Sequence, residues 1–435
     1  MNPQKIPGTR LKRAAIAGVA TAHVGVKHIT YLGRKKFSAT DENSRQNVHE
    51  KEIGRILINA FTQLRGTALK VAQMMSMELD MLPEGIRLEL AKACSQVTPL
   101  NRAHIRKVFL AEFGRAPEAM FSTFENTAFA AASLGQVHKA SGEAGEVLAV
   151  KIQYPGIARS IRSDVQLVRG IMKSLSISTS FLPRHEIVDA VLSDIQKQLE
   201  NEVDYQQEAG NTNWFGEHLT LPGIHVPAVY RQYSGARVLT TEYVHGQHVE
   251  QWLQGQPCQA QRDQYGQLLF DLFCFQLHEL KVLHADPHPG NFIFCDDNTI
   301  SLIDFGCVHK LTADFPATVT RLFTRDPVQL HQTYIDLGVT SPELAYEQFE
   351  KELLPIISEL IEWMTTPFLD EEYDFSKMKP VPEKKFSQIK SAAGFIDDMR
   401  QDQVFFDRTF FGLLSMLRKL GARISTKGLL SAHRE

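Results

Sequence analysis

The sequence predicts an α+β chain of two lobes with a helical block ahead of them. Three observations carry this. From Ile53 to about Ala93, apolar residues (Ile56, Leu57, Ala60, Leu64, Ala68, Val71, Met75, Leu79) recur at steps of three and four, the helical period. Residues 128–151 read as two strands joined by a glycine-bearing turn, the second ending in Lys151. Residues 284–306 carry two polar motifs, H-A-D-P-H-P-G-N and D-F-G, either side of a short apolar hairpin.

Size and composition set the bounds. With 435 residues, 43% of them apolar, the chain can build more than one core. A net charge of -3 gives no general attraction to nucleic acid. The five cysteines (Cys94, Cys258, Cys274, Cys295, Cys307) form no C-x-x-C pair, which argues against a disulfide framework or zinc site and fits a reducing, cytoplasmic compartment. Cys307 follows D-F-G directly and either approaches the nucleotide or, the preferred reading, is a small core residue. The apolar run Ala14 to Val26 has thirteen residues and contains His23, too short to span a bilayer. Lys27 and His28 close it without a cleavage site.

Charge is nevertheless uneven. Residues 1–36 hold Lys5, Arg10, Lys12, Arg13, Lys27, Arg34, Lys35 and Lys36 and no acidic residue. Such an arm either lies on an anionic membrane surface, here peripherally at the inner membrane, or is a solvated tail.

In order along the chain, residues 1–52 are a basic arm and a polar linker (37–52), 53–120 a helical extension, 121–244 a strand-bearing lobe with a helical insertion, and 245–435 a helical lobe. Pro83-Glu84-Gly85 interrupts the first helical pattern, and Pro83 suits the first turn of the next helix. Asn101 caps a third helix that runs to Phe113 and stops at Gly114. Strands begin near Phe121. Ala128–Lys139 reads as one strand, Ser141–Gly145 as a turn and Val147–Lys151 as the returning strand. Residues 160–217 read as helical. Arg237–Val244 is a buried strand that leaves at His245-Gly246, and 261–283 a buried helix. Residues 310–435 read as mostly helical, with the acidic run Asp370, Glu371, Glu372 and Asp374 as a solvated face.

The two polar motifs carry the chemistry. A protein-kinase catalytic loop has the form H-R-D-x-x-x-x-N, followed by D-F-G on the next strand. Asp286 and Asn291 keep that five-residue step, and Asp304 follows Asp286 by eighteen positions, room for a hairpin. The expected fold is therefore protein-kinase-like. Asp304 and Asn291 are the candidate Mg2+ ligands, and Asp286 orients or deprotonates an attacking hydroxyl or water. Lys151, at a strand end as in V-A-I-K, neutralises phosphate. Val137 and Ala149 on the paired strands, with Glu242 and Val244 at the strand exit, complete a pocket for ATP or ADP. A kinase places a G-x-G-x-x-G loop where Ala130, Ala131, Ala132 and Ser133 stand. Alanine restricts close backbone approach, so the segment is either a phosphate cradle of a different kind, with Ser133 donating its hydroxyl, or a small-residue turn.

Together these residues resemble the UbiB/AarF-type atypical kinases associated with ubiquinone biosynthesis, from about Phe61 to Val308. A-A-A-S-x-x-Q-V-H (Ala130–His138) is similar to that family's alanine-rich loop, Val150-Lys151 to its nucleotide lysine and Glu202-Val203-Asp204 to its E-x-D motif. Glu208-Ala209 and Asn211 continue the helix as the family does. Arg65 through Ser76 resembles its K-x-G-Q helix, with Lys70 and Gln73, although Ala72 stands at the glycine. The resemblance implies that this helical extension packs over the active-site cleft. It also implies that Lys70 points inward to Glu202 and Asp204 as a regulatory group. Spacing alone allows instead an exposed lysine on an amphipathic helix. The resemblance selects Glu208 as the carboxylate holding Lys151, where simple spacing suggests Asp164.

Two functions follow. One is an ATP-dependent kinase or ATPase supporting isoprenoid quinone synthesis, acting with quinone-precursor lipids and other enzymes of that synthesis. The other is a nucleotide-gated binding or chaperone-like module with little catalysis. A third, an aminoglycoside- or choline-type kinase, shares the two motifs but not the extension carrying Lys70 and Gln73.

Overall fold

The structure is a computed structural model. It describes residues 42–64, 67–78, 84–91, 101–132, 134–178, 185–323, 326–380 and 400–429, and isolated positions between 16 and 30. The chain groups into two compact units: Met1–Gln206 with Tyr230–Thr240, and Gln207–Val229 with Thr241–Glu435. The segment Gln207–Val229, which the sequence reading keeps with 121–244, thus groups with the second unit.

The first unit holds two apolar cores. One is helical. It joins α1 (Glu42–Leu64), α2 (Thr67–Glu78), α3 (Glu84–Ala91), α5 (Ile157–Ser178) and α6 (His185–Glu202), with α4 being Arg102–Phe113. Ile53, Leu57, Phe61, Val71 and Met75 share that core with Ile161, Val165, Leu192 and Ile195. The expected linker 37–52 is a correction: α1 already starts at Glu42, and His49 and Glu50 are buried. Polar composition concealed a helix whose burial continues beyond its apolar stripe. Pro83 lies outside the described residues.

The second core lies under a sheet. Its strands are β1 (Thr123–Phe124), β2 (Ala130–Ala132), β3 (Gly135–Ser141), β4 (Val147–Gln153) and β6 (Val238–Glu242), in the order β1-β3-β4-β6 with β2 beside β3. Leu148, Val150 and Ile152 face this core with Ile105, Val108 and Phe109 of α4. As expected, Asn101 caps α4 by accepting from the His104 amide at 3.0 Å, and Gly114 ends it at φ 67. The single strand expected over Ala128–Lys139 is instead two antiparallel ones, with Ala132 opposite Gly135. At Gly135 an added Cβ would overlap the Ile152 carbonyl and meet the Tyr205 hydroxyl, so the chain needs glycine there.

The expected helical stretch 160–217 breaks before α7 (Tyr205–His218), where the Asp204 amide donates to the Asn201 carbonyl at 3.0 Å. The E-x-D motif therefore sits at a helix end.

The second unit has one large core. It centres on α9 (Gln259–Phe275) and α13 (Gln401–Leu420), whose Phe273 and Phe410 rings lie 5.5 Å apart. Strands β5 (Ile224–His225), β7 (Gln247–His248), β9 (Phe292–Phe294) and β10 (Ile300–Leu302) form a sheet ordered β5-β10-β9-β7. Strands β8 (Val282–His284) and β11 (Val308–Lys310) pair antiparallel. Helix α8 is Val249–Gln254, α10 Phe315–Thr320, α11 Pro327–Asp336 and α12 Leu354–Thr365. The helix expected to reach 283 stops at Phe275, passes through a wider turn to Leu280 and leaves through Lys281 at φ 53. The pairing of Val282–His284 with β11 outweighs its helical pattern. The acidic run is not only a solvated face. Glu372–Asp374 forms β12, paired with β13 (Arg423–Ser425), and Asp374 lies 3.3 Å from Arg423.

Candidate active site

The catalytic-loop motif is positioned by strand ends. Asp286 follows β8, Asn291 precedes β9, and Asp304 lies between β10 and β11. Two backbone bonds draw these segments together: Ile303 donates to the Asn291 carbonyl at 3.1 Å and Ala285 to the Cys307 carbonyl at 2.9 Å. In the hairpin turn Asn298 adopts φ 63, while Asp297 accepts from the Thr299 amide at 3.1 Å.

Side chains refine the placement. The Asn291 amide nitrogen donates to Asp286 Oδ2 at 2.8 Å and to the Asp286 carbonyl at 3.2 Å. Asp304 Oδ1 accepts from the Gly306 amide at 2.9 Å. His284 is buried and donates from Nε2 to the Asp304 carbonyl, while its own amide donates to Gln276 Oε1 at 2.6 Å. Phe305 is fully buried between the Phe215 ring at 5.0 Å and the His284 ring at 5.3 Å. Asn211 holds its carbonyl from 2.9 Å. The D-F-G segment is thus fixed at three consecutive residues.

This donor set suits a hard cation. Because Asp286 holds the Asn291 nitrogen, the amide oxygen is directed elsewhere and is a ligand candidate, as is the Asp304 carboxylate. Among the described residues, no three acidic, histidine or cysteine side chains cluster tightly enough to hold an ion by themselves. Two protein oxygens completed by phosphate oxygens is the pattern Mg2+ prefers.

In the first unit, Val137 stands opposite Lys151 in the β3–β4 register, and Lys139 opposite Ala149. Val137, Ala149 and Lys151 share the half-buried face, opposite the face that packs into the core. The Lys151 ammonium lies 5.1 Å from the Tyr205 ring centre, a cation–π distance. Below the alanine segment, Gln136 Nε2 and His138 Nε2 meet at 2.6 Å, and His138 Nδ1 lies 2.7 Å from the Glu125 carbonyl. Gln136 must donate there, so His138 donates to Glu125. Burial pushes the His138 pKa down, which keeps it neutral for that role. Ser133 lies outside the described residues, as does the Gln73 side chain.

Lys70 Nζ lies 3.9 Å from Glu202 Oε1, and both are half-buried. Asp204 is exposed at the helix end, and Ala72 is fully buried in the helical core. Glu208 is buried in the first turn of α7 and belongs to the second unit, whereas Lys151 and the buried Asp164 belong to the first. In the second unit, Glu242 Oε2 lies 3.1 Å from His225 Nε2, and its amide donates to the Ala228 carbonyl at 2.8 Å. Val244 follows in the half-buried exit from β6.

Two residues of the site escape the sequence reading. Gln276 reads there as one of a row of buried helix residues, although a polar group within that row is itself a signal. Arg408 of α13 lies 3.4 Å from Asp286 Oδ1 and has no local signal, since 122 positions separate the two.

The sequence profile described as the ABC1 atypical kinase-like domain matches residues 92–329. The chain is 31% identical to the mitochondrial atypical kinase COQ8B of Rattus norvegicus over 72% of its own length and 59% of that protein's. It is 25% identical to the mitochondrial atypical kinase COQ8 of Schizosaccharomyces pombe over 99% of its own length and 70% of that protein's. Among solved structures, Rv3197 of Mycobacterium tuberculosis, solved as an erythromycin complex, superposes with a TM-score of 0.61 at 24% identity, over 89% of this chain and 97% of that one. That likeness concerns the fold. With more than half of the chain under that profile, the chain belongs to the ABC1 atypical kinase-like family, as the UbiB/AarF resemblance implies, and has a protein-kinase-like fold.

Proposed function

We propose that the chain is an ATP-dependent atypical kinase or ATPase that supports isoprenoid quinone (ubiquinone) synthesis at a membrane surface. The observation that carries this reading is the Asp286–Asn291 hydrogen bond of 2.8 Å, which fixes a base candidate and turns the amide oxygen away from Asp286. Mg2+, when bound, neutralises charge on the phosphates. Asn291 and Asp304 would hold it. Lys151 is the phosphate-contacting candidate and Glu208 its candidate carboxylate, and Ala130, Ala131, Ala132, Val137, Ala149, Glu242 and Val244 are the candidate nucleotide-binding residues. Asp286 orients the attacking hydroxyl or water and takes its proton. Lys70, Gln73, Glu202 and Asp204 regulate access by way of α2.

The test is ATP turnover with and without anionic liposomes and a phenolic quinone precursor. Asp286→Asn should lower turnover by about 10²–10⁴-fold while nucleotide still binds, and Asp304→Asn should remove Mg-nucleotide binding. Lys151→Arg and Glu208→Gln should each weaken that binding. Asp164→Asn doing so while Glu208→Gln does not would move the partner role to Asp164. Absence of Mg-nucleotide uptake by the native chain overturns the reading.

One observation favours a second reading. Ala130–Ala132 is a hydrogen-bonded strand rather than a glycine-rich loop, which suits a nucleotide-gated module that handles lipid intermediates with slow hydrolysis. Tight binding without turnover in every condition would select it.

A further inference from the structure

Phosphoryl transfer develops charge that fixed cations stabilise. The catalytic loop of this chain contains none: Ala285, fully buried, stands where H-R-D has arginine, and no lysine or arginine occurs from His284 to Asn291. A cation arrives from elsewhere. Arg408 of α13 places Nη2 3.4 Å from Asp286 Oδ1, on the oxygen that Asn291 does not use. The Arg408 side chain is 38% exposed, and Nη2 is the nitrogen engaged, leaving Nε and Nη1 with donors to spare. An ion pair this open contributes little to stability, so fold maintenance is a weak reason for it.

The helix is built to be there. Gly412, one turn on and so on the same face as Arg408, comes so close to Pro287 that an added Cβ would overlap its ring. At its start, Asp402 accepts from Thr312 Oγ1 at 2.6 Å and pairs with His309 of β11 at 2.7 Å. The helix is therefore pinned to the strand that pairs with β8. It meets two successive loop residues, Asp286 and Pro287.

We propose that Arg408 is an anion-contacting residue of the active site: it holds Asp286 in place and donates to the terminal phosphate of a bound nucleoside triphosphate. The proposal rests on the nucleotide reading above. It lies outside the 92–329 stretch that carries the family match.

The test compares native chain, Arg408→Gln and Arg408→Lys in ATP turnover and in calorimetric affinity for Mg-ATP and Mg-ADP. Arg408→Gln should lower kcat by about 10²–10³-fold, the cost of removing one charge-stabilising donor. It should weaken ATP much more than ADP, which lacks the contacted group. Arg408→Lys should recover part of the ATP preference, and added guanidinium should partly rescue Arg408→Gln. A merely structural role would move ATP and ADP together. A native chain that binds and turns over Mg-ATP while Arg408→Gln matches it within twofold in kcat and ATP-to-ADP preference overturns this proposal alone. A native chain that takes up no Mg-nucleotide overturns the nucleotide reading beneath it.

Discussion

The side chains that hold the catalytic loop act through hydrogen bonds whose loss has a calculable direction. Gln276 is buried and accepts from the His284 amide at 2.6 Å. Gln276→Leu would leave that amide without its acceptor, at about 1–3 kcal/mol, and loosen the strand end ahead of Asp286. We expect a lower denaturation midpoint and reduced turnover; an unchanged urea midpoint would remove Gln276 from the support of the loop. One residue before Arg408, burial pushes the Asp407 carboxyl up to about 7, against a hydrogen bond from Gln403 at 2.7 Å. Tyr334 is raised as well, by its burial first and then by the charge of this carboxylate. An acid raised in the folded state holds its proton when the unfolded chain has lost it. Stability therefore falls as pH rises from about 4 to about 7 and is level beyond. Asp407→Asn should match the native chain near pH 4 and exceed it at pH 8 by about 4 kcal/mol. Equal melting curves at pH 8 would show the carboxyl to be well accommodated as an anion.

Elements differ in how legible they were. Helix α4 announces both ends, because Asn101 and Gly114 each act on their own neighbourhood. The β9–β10 hairpin is equally plain, since Asp296-Asp297-Asn298 supplies turn chemistry between apolar runs. By contrast, the start of α1 at Glu42 and the end of α9 at Phe275 are decided by distant partners. The spacing of Asp286, Asn291 and Asp304 reveals the loop because all three lie within nineteen residues. Arg408 does not show, because its meaning arises only when α13 packs on the loop. Pro287, His284 and Phe292 line a cavity of about 30 Å3 with Thr409, Leu413 and Met416 of that helix. The same packing makes a prediction. Gly412→Ala forces a methyl against Pro287, an overpacking change of about 1–3 kcal/mol that should shift the helix from the loop. Turnover should fall more than nucleotide affinity does. A variant with native turnover would show that the loop tolerates the displacement.

Across the whole chain, the distribution of charge says more than its sum. Net charge is -3, yet residues 1–36 hold eight lysines and arginines and no acid. Among the described residues, no helix is long and apolar enough to cross a membrane. The membrane contact in the proposed function is a surface attraction exerted by this basic arm. Deleting the arm is a poor test. Ala20 and Val24 are buried, Val24 in the helical core, and Lys27 pairs with Glu52 at 3.2 Å, so a deletion would also remove packing. Reversing Lys5, Arg10, Lys12 and Arg13 to glutamate leaves those contacts in place. Each basic residue near an anionic bilayer contributes about 1 kcal/mol. The fourfold reversal should lower the partition onto phosphatidylglycerol-containing vesicles by at least about 10²-fold, without changing the melting temperature. Raising salt from about 0.1 M to 1 M shortens the screening length from about 10 Å to 3 Å and should release the native chain as well. Flotation that survives both treatments would assign the contact to apolar groups instead, and the exposed Val19 and Val26 would be the first to replace.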